Sequence, residues 1–241
     1  MKTILITGAS GGIGSEIAKK FAKDDNNVVL VYNKHKSQVE NLKQKFKNCN
    51  ITIYKCDLTQ TDQINSMVKK IISNYGTIDY LINCAGVSKF LQIQDTTDDD
   101  YLEVFDTNLK STIMLTSAVS KHMIHEQYGK IINISSMWGT VGASMESLYS
   151  ASKGAINTLT LSLAKELGPS NINVNAICPG LIATKMNRSL SKETVIDIIK
   201  ETPLNRIGKP EDVANLVEFL CSEKASFITG QIITIDGGLT L

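Results

Sequence analysis

The sequence predicts a single α/β domain built on a doubly wound parallel sheet. Three observations carry the prediction. Short β-branched runs alternate with longer amphipathic stretches along the whole chain. Several of those runs are apolar at every position, as strands buried on both faces must be. The 241 residues contain no Pro/Gly/Ser linker, repeat or low-complexity tract that would mark a second domain. The prediction is therefore one domain over 1–241, with a seven-stranded sheet and helices on both faces.

The first strand, 3–6, leads through Thr7-Gly-Ala-Ser-Gly-Gly-Ile-Gly14 into a helical pattern over 13–23. Ordinary packing does not call for glycines at Gly8, Gly12 and Gly14. A tight turn that brings backbone close to a bulky anion does. The helix behind it offers unpaired N–H groups and a positive dipole end. Gly8, Ser10, Gly11, Gly12, Ile13 and Gly14 are thus candidates for holding a dinucleotide pyrophosphate, in a Rossmann-like arrangement.

The second strand, 28–32, ends Tyr32-Asn33-Lys34, with Lys36 beyond. An NAD site usually carries Asp or Glu there for the ribose 2′-hydroxyl. Tyr32, Asn33 and the lysines favour a 2′-phosphate instead, and so NADP(H). The same lysines would also suit a solvated loop. A helix over 38–47 and a third strand, 51–55, follow. That strand ends at Asp57-Leu58, where the carboxylate could accept from an adenine amino group or cap the helix over 62–74. The fourth strand, 80–83, runs into Asn83-Cys84-Ala85-Gly86, small residues that let a cofactor pass close to the backbone.

A long helical pattern covers 99–125, with Asp98-Asp99-Asp100 charging its start. Asn108 lies inside it, where asparagine has poor helix propensity. It is a candidate for holding a water that links Lys153 to solvent. The fifth strand, 130–135, opens a loop containing Ser136. Tyr149 and Lys153 follow on the helix over 149–167, four residues apart and so on one face. A nearby ammonium favours the phenolate and would lower the Tyr149 pKa, suiting it to move a proton at a carbonyl oxygen. Tyr32 and Lys36 share that spacing but lie at the adenosine side. The sixth strand, 173–177, is followed by Pro179-Gly180. Segment 181–204 then interrupts the rhythm where ligands bind, as a substrate lid or a surface excursion. A helix over 210–221 and a strand over 231–235 complete the sheet.

Composition narrows the function classes. Net charge is +1, which implies no nucleic-acid or membrane-surface field. Of 25 basic side chains only Arg188 and Arg206 are arginines, thin for bidentate phosphate recognition. Five dispersed cysteines, with no C-x-x-C pair, suit a reduced cytoplasmic chain. The apolar start is too short for a membrane segment. His122 and His125 lack a third ligand nearby, so no metal site is expected.

Together these residues resemble the classical short-chain dehydrogenases/reductases along essentially the whole chain. The glycine loop, Asn83-Cys84-Ala85-Gly86 (with Cys84 in place of a second Asn), and the set Asn108, Ser136, Tyr149 and Lys153 carry the resemblance. The 13-residue step from Ser136 to Tyr149 is the family's usual one, and Pro179, Gly180, Ile182 and Thr184 match its carboxamide-holding segment. The resemblance implies that Ser136 polarises the substrate oxygen and Tyr149 is the general acid. It implies that Lys153 binds the nicotinamide ribose and tunes Tyr149, while Asn108 supports a proton-relay water. It also implies a homotetramer.

Leu204-Asn-Arg-Ile-Gly-Lys-Pro-Glu-Asp-Val-Ala214 and Thr229-Gly-Gln-Ile-Ile-Thr-Ile-Asp-Gly-Gly238 are similar to the branch that reduces 3-oxoacyl thioesters on acyl carrier protein. Sugar and alcohol dehydrogenases share those tails. A nucleotide-sensing protein without turnover is the alternative outside enzymes. Two departures stand out. Gly11 occupies a place where NADP-dependent members often have Arg or Lys. Gln127 and Ser170 stand where carrier-protein reductases place arginines.

Overall fold

The computed structural model describes every residue except Lys23 and Asp24, and every side chain except those two and Arg188 and Ser189. The expected end of the first helix at Lys23 therefore lies outside the described residues. The first half runs β1 (Thr3–Ile6), α1 (Gly12–Phe21), β2 (Asn27–Tyr32), α2 (Lys36–Lys45), β3 (Asn50–Lys55), α3 (Thr61–Tyr75) and β4 (Tyr80–Asn83). Then come α4 (Asp98–Phe105), α5 (Ser111–Glu126), β5 (Gly129–Ile134), α6 (Trp138–Val141), α7 (Ser147–Leu167), β6 (Ile172–Pro179), α8 (Lys192–Glu201), α9 (Pro210–Cys221) and β7 (Ile232–Ile235).

The strands form one seven-stranded parallel sheet in the order β3-β2-β1-β4-β5-β6-β7. Alternation along β1 divides the core. Ile4 and Ile6 join α1, α2 and α9 on one face through Ile17, Val39, Val213 and Val217. Leu5 joins α3, α5 and α7 on the other through Ile64, Leu115, Val119 and Leu167. Both faces are dry, which explains strands without polar alternation. The order in which strands are added reverses between β1 and β4, so the crevice beyond their carboxyl ends is where such a fold binds ligands.

A pair of amides is buried within this core. Asn83 and Asn133 are register partners on β4 and β5. Asn83 Nδ2 donates to Asn133 Oδ1 at 2.9 Å and to Thr116 Oγ1 at 3.1 Å, and Asn133 Nδ2 donates to Thr160 Oγ1 at 2.9 Å. The amides thereby tie the sheet to α5 and α7, their own donors satisfied.

The expected single helix over 99–125 is interrupted. α4 and α5 are joined by a π turn over Asp106–Lys110, with Ser111 N–H reaching back to the Asp106 carbonyl. One inserted residue leaves the apolar periodicity nearly intact, so pattern alone does not reveal it. Thr97 caps α4 reciprocally with Asp100. β6 runs two residues beyond the expected 173–177, to Pro179. Among the described residues no helix is long and apolar enough to cross a membrane.

Candidate active site

The glycine turn is dictated by crowding. Gly8 holds φ +63°, and a Cβ there would lie 2.8 Å from the Cys84 carbonyl oxygen and 2.9 Å from Ala85 backbone. Thr7 fastens the same junction, its Oγ1 accepting from the N–H groups of Cys84 (2.9 Å) and Ala85 (3.1 Å). Thr7 therefore locks the ends of β1 and β4 together, a role the glycine spacing did not disclose. The N-cap of α1 is Gly11, which has no side chain to satisfy the first helical N–H groups. A bare helix start beside a backbone groove fits a pyrophosphate. Ser10, Gly11, Gly12 and Ile13 all keep some exposure there, while Gly14 is buried.

The adenosine end is mixed. Asn33 and Lys34 are exposed beyond β2, and Tyr32 is buried beneath them. Lys36 is taken by Glu40 at 2.9 Å. Asp57 neither points free nor caps α3. Its Oδ1 accepts from Thr59 N (3.0 Å) and Thr59 Oγ1 (2.8 Å), closing a tight turn at the strand end. Leu58 sits half-buried on that turn, packed against the core. With its amide turned to donate to the Ser10 carbonyl, Gln38 accepts from Lys185 Nζ at 3.1 Å. Lys185 was not foreseen here, because it arrives from the segment after β6.

That segment folds back over the glycine loop. Thr184 Cγ2 lies only 2.9 Å from where a Cβ on Gly12 would sit. Pro179 accepts from Met137 N at 3.0 Å, and Gly180 N donates to the Ile235 carbonyl at 3.0 Å. The Ile182 side chain is buried in the core, and its carbonyl accepts from Thr184 N and Asn187 Nδ2, both at 2.8 Å.

Asn108 and Lys153 meet beside Gly86, with Tyr149 next to Lys153 and Ser136 near Tyr149. Lys153 is buried, and its Nζ donates to the Ile134 carbonyl at 2.8 Å. A Cβ on Gly86 would meet Asn108 Oδ1 at 3.2 Å and Lys153 Nζ at 3.4 Å. Ser136 accepts from Trp138 N at 3.2 Å, and it lies close enough to the Tyr149 phenol to pull its pKa down. Lys153 Nζ stands 5.7 Å from the Tyr149 ring centre.

Asn108 accepts from Val87 N (2.8 Å) and donates to the Val87 carbonyl (2.9 Å) and Ser152 Oγ (3.0 Å). Both amide hydrogens are thereby used, while Oδ1, on the Gly86 side, has one further lone pair. Ser152, which sequence reasoning passed over, also donates to the Tyr149 carbonyl at 2.7 Å. It joins the π turn to α7. Asn83 turns its amide into the buried network rather than the crevice, while Ala85 and Gly86 line it.

The electrostatics run opposite to the simple expectation for the pair. Burial, which disfavours charge, pushes the Tyr149 phenol up to about 12, with Ser136 pulling the other way. Burial likewise brings the Lys153 amine down to about 8. The phenol is thus held as a protonated acid at neutral pH. The sign for stability follows. Between about 8 and 10.5 the folded amine binds fewer protons than the unfolded one. Its burial costs stability below that window, and the cost is relieved as pH rises through it. We expect the stability gap between Lys153→Met and the wild type to vary with pH across this range. The variant should be relatively more stable at pH 8 than at pH 10 by urea denaturation. A gap that does not change with pH would contradict the depressed amine.

The comparisons bear on this geometry. The family model described as Enoyl-(Acyl carrier protein) reductase matches residues 8–240. The 3-oxoacyl-[acyl-carrier-protein] reductase FabG of Chlamydia muridarum is 37% identical over 241 residues, spanning 99% of this chain and 97% of that protein. The protein of the same name from Thermotoga maritima is 36% identical over 242 residues, covering 100% and 98%. The one from Staphylococcus aureus (strain Mu50) is 35% identical over 240 residues, covering 99% and 98%.

Proposed function

Because this chain belongs to the short-chain dehydrogenase/reductase family of nicotinamide-dependent oxidoreductases, we propose that it reduces a ketone to a secondary alcohol with NADPH. The proposed ketone is a 3-oxoacyl thioester, presented on acyl carrier protein in fatty acid synthesis. The observation that carries this reading is the Lys153 amine beside Gly86, with the Tyr149 ring 5.7 Å from it and Ser136 near the phenol. The nicotinamide, when bound, supplies hydride to the carbonyl carbon. Ser136 and Tyr149 hold the carbonyl oxygen, and Tyr149 delivers its proton there. Lys153 binds the ribose and, as a cation, stabilises the phenolate left behind. Asn108 and Ser152 position α7 against the loop after β4. The family model is described by enoyl reduction, but a phenol and a hydroxyl aimed at one oxygen favour a ketone.

The relatives support the thioester by their names. The carrier is supported less directly, because Gln127 and Ser170 offer it no charge. Gln127 caps α5 in the left-handed conformation, and its carbonyl accepts from Asn171 Nδ2 at 3.2 Å. A small-molecule alcohol or sugar dehydrogenase is the second reading on that account. Acetoacetyl thioester and a sugar panel, each with NADPH and NADH, separate the two. Absence of turnover with every ketone would favour a nucleotide sensor. Segment 181–204 serves as the substrate lid, carrying α8 with exposed Met186 and Ile196. The exposed apolar residues Tyr101 and Leu102 on α4, and Phe227 and Leu241 near β7, supply faces for a homotetramer.

NADP preference rests on Lys34 and Asn33, with Lys185 delivered from across the crevice. Lys34→Asp is expected to shift the NADPH/NADH ratio of kcat/KM by about tenfold toward NADH, through repulsion of the 2′-phosphate. An unaltered ratio would remove Lys34 from the site.

A further inference from the structure

Glu146 is the N-cap of α7, a place where a short oxygen-bearing side chain normally accepts from the first helical N–H groups. Its carboxylate makes no such cap. It reaches across instead to the loop after β4, where Oε1 accepts from Ser88 Oγ. A second tie lies beside the first, Leu91 N donating to the Met145 carbonyl at 2.8 Å. Met145 holds φ +66°, a left-handed backbone conformation rare for a residue with a side chain. The two loops are thus clasped, two residues beyond Gly86 on one wall and three residues before Tyr149 on the other.

The clasp leaves a carboxylate at the N-cap of α7, one helical turn before Tyr149. Lys89, the cation on the same loop, is already held between Asp100 (2.6 Å) and Glu103 (2.7 Å). The charge of Glu146 is felt at the Tyr149 phenol, whose proton it helps retain. A substrate with its ketone on that phenol and a free carboxylate two carbons away brings a second negative charge into the same field. Residues three apart on a helix have Cβ atoms about 5–6 Å apart, inside the screening length of about 8 Å at physiological salt. A thioester or ester of the same acid brings none.

We propose that Glu146, clasped to Ser88 across the pocket mouth, determines specificity by excluding free 3-oxo acids while admitting their neutral thioesters and esters. The inference rests on the ketone reduction proposed above. It gives the enzyme a reason to act on activated acyl groups and to ignore the free acids their hydrolysis releases.

The test compares acetoacetate with ethyl acetoacetate, nearly the same ketone with and without the charge. The readout is the ratio of their kcat/KM values. Glu146→Gln should raise the acetoacetate share by about tenfold or more, the effect of removing one nearby like charge. Ser88→Ala keeps the charge and breaks the clasp, and should leave the ratio within about twofold. In the wild type, added salt should raise the ratio by screening, and in Glu146→Gln it should not. A Glu146→Gln ratio equal to wild type, or a salt-insensitive wild type, would overturn the inference. So would a Ser88→Ala shift as large as that of Glu146→Gln, which would make the effect one of shape. If the wild type reduces neither this ester nor acetoacetyl thioester, the proposed function itself fails, a distinct outcome.

Discussion

Replacing Tyr149 with phenylalanine is expected to lower kcat by about 10²–10⁴-fold, the range a positioned general acid contributes. NADPH binding, followed by fluorescence titration, should stay near its wild-type value. The reasoning separates the oxygen from the ring. The ring keeps its place on α7, four residues before Lys153, and Lys153 keeps its bond to the Ile134 carbonyl. Ser136 keeps its bond from Trp138 N. Only the proton donor disappears. Turnover at the wild-type rate would remove Tyr149 as the acid, and loss of NADPH binding would show that the phenol supports the fold of the site.

The second large effect is structural. Gly14→Ala places a Cβ 2.3 Å from the Gly8 carbonyl oxygen, 2.8 Å from its carbon and 3.0 Å from Ala9 Cα. All three are backbone atoms, so no rotamer change relieves the clash. α1 must lift from the turn, and the groove between them opens. We expect a loss of about 2–4 kcal/mol in unfolding free energy. That corresponds to a fall in Tm on the order of 10 °C, accompanied by weakened NADPH binding. Gly168→Ala is the control. It meets open space at an ordinary backbone angle (φ −54°) and should be nearly neutral. Equal melting points for the two variants would refute the crowding argument.

Much of the fold was legible because the sheet is parallel and enclosed. Strands apolar at every position, such as Val28 to Val31, admit few other readings. The glycine spacing was legible as a turn because Gly14 answers crowding from Gly8 six residues before it, while the partners of Gly8 and Gly12, at Cys84, Ala85 and Thr184, lie far along the chain. Other features were hidden for physical reasons. The π turn at Asn108 adds one residue to a helix whose periodicity tolerates it, leaving a mid-helix asparagine as its sole hint. Thr7, Ser152 and Lys185 act through partners far along the chain, and small or charged residues of their kind are common. The direction of the Tyr149 shift was misjudged because spacing gives proximity to Lys153 but not the depth of burial, and burial prevails. Asp57 satisfied itself locally at Thr59, a competition short acidic side chains often win in turns.

The Asn83–Asn133 amide pair has a consequence for how the two walls of the crevice come to match. A strand with greasy side chains on both surfaces loses little by sliding two positions along its neighbour, so oiliness alone leaves β4 and β5 poorly indexed. A lone pair of amides works as a key in a slot. Any such slide would strand both of them without partners in a dry interior, at a cost of several kcal/mol. The relative height of Gly86 and Ser136 is therefore set by two side chains that never see the substrate.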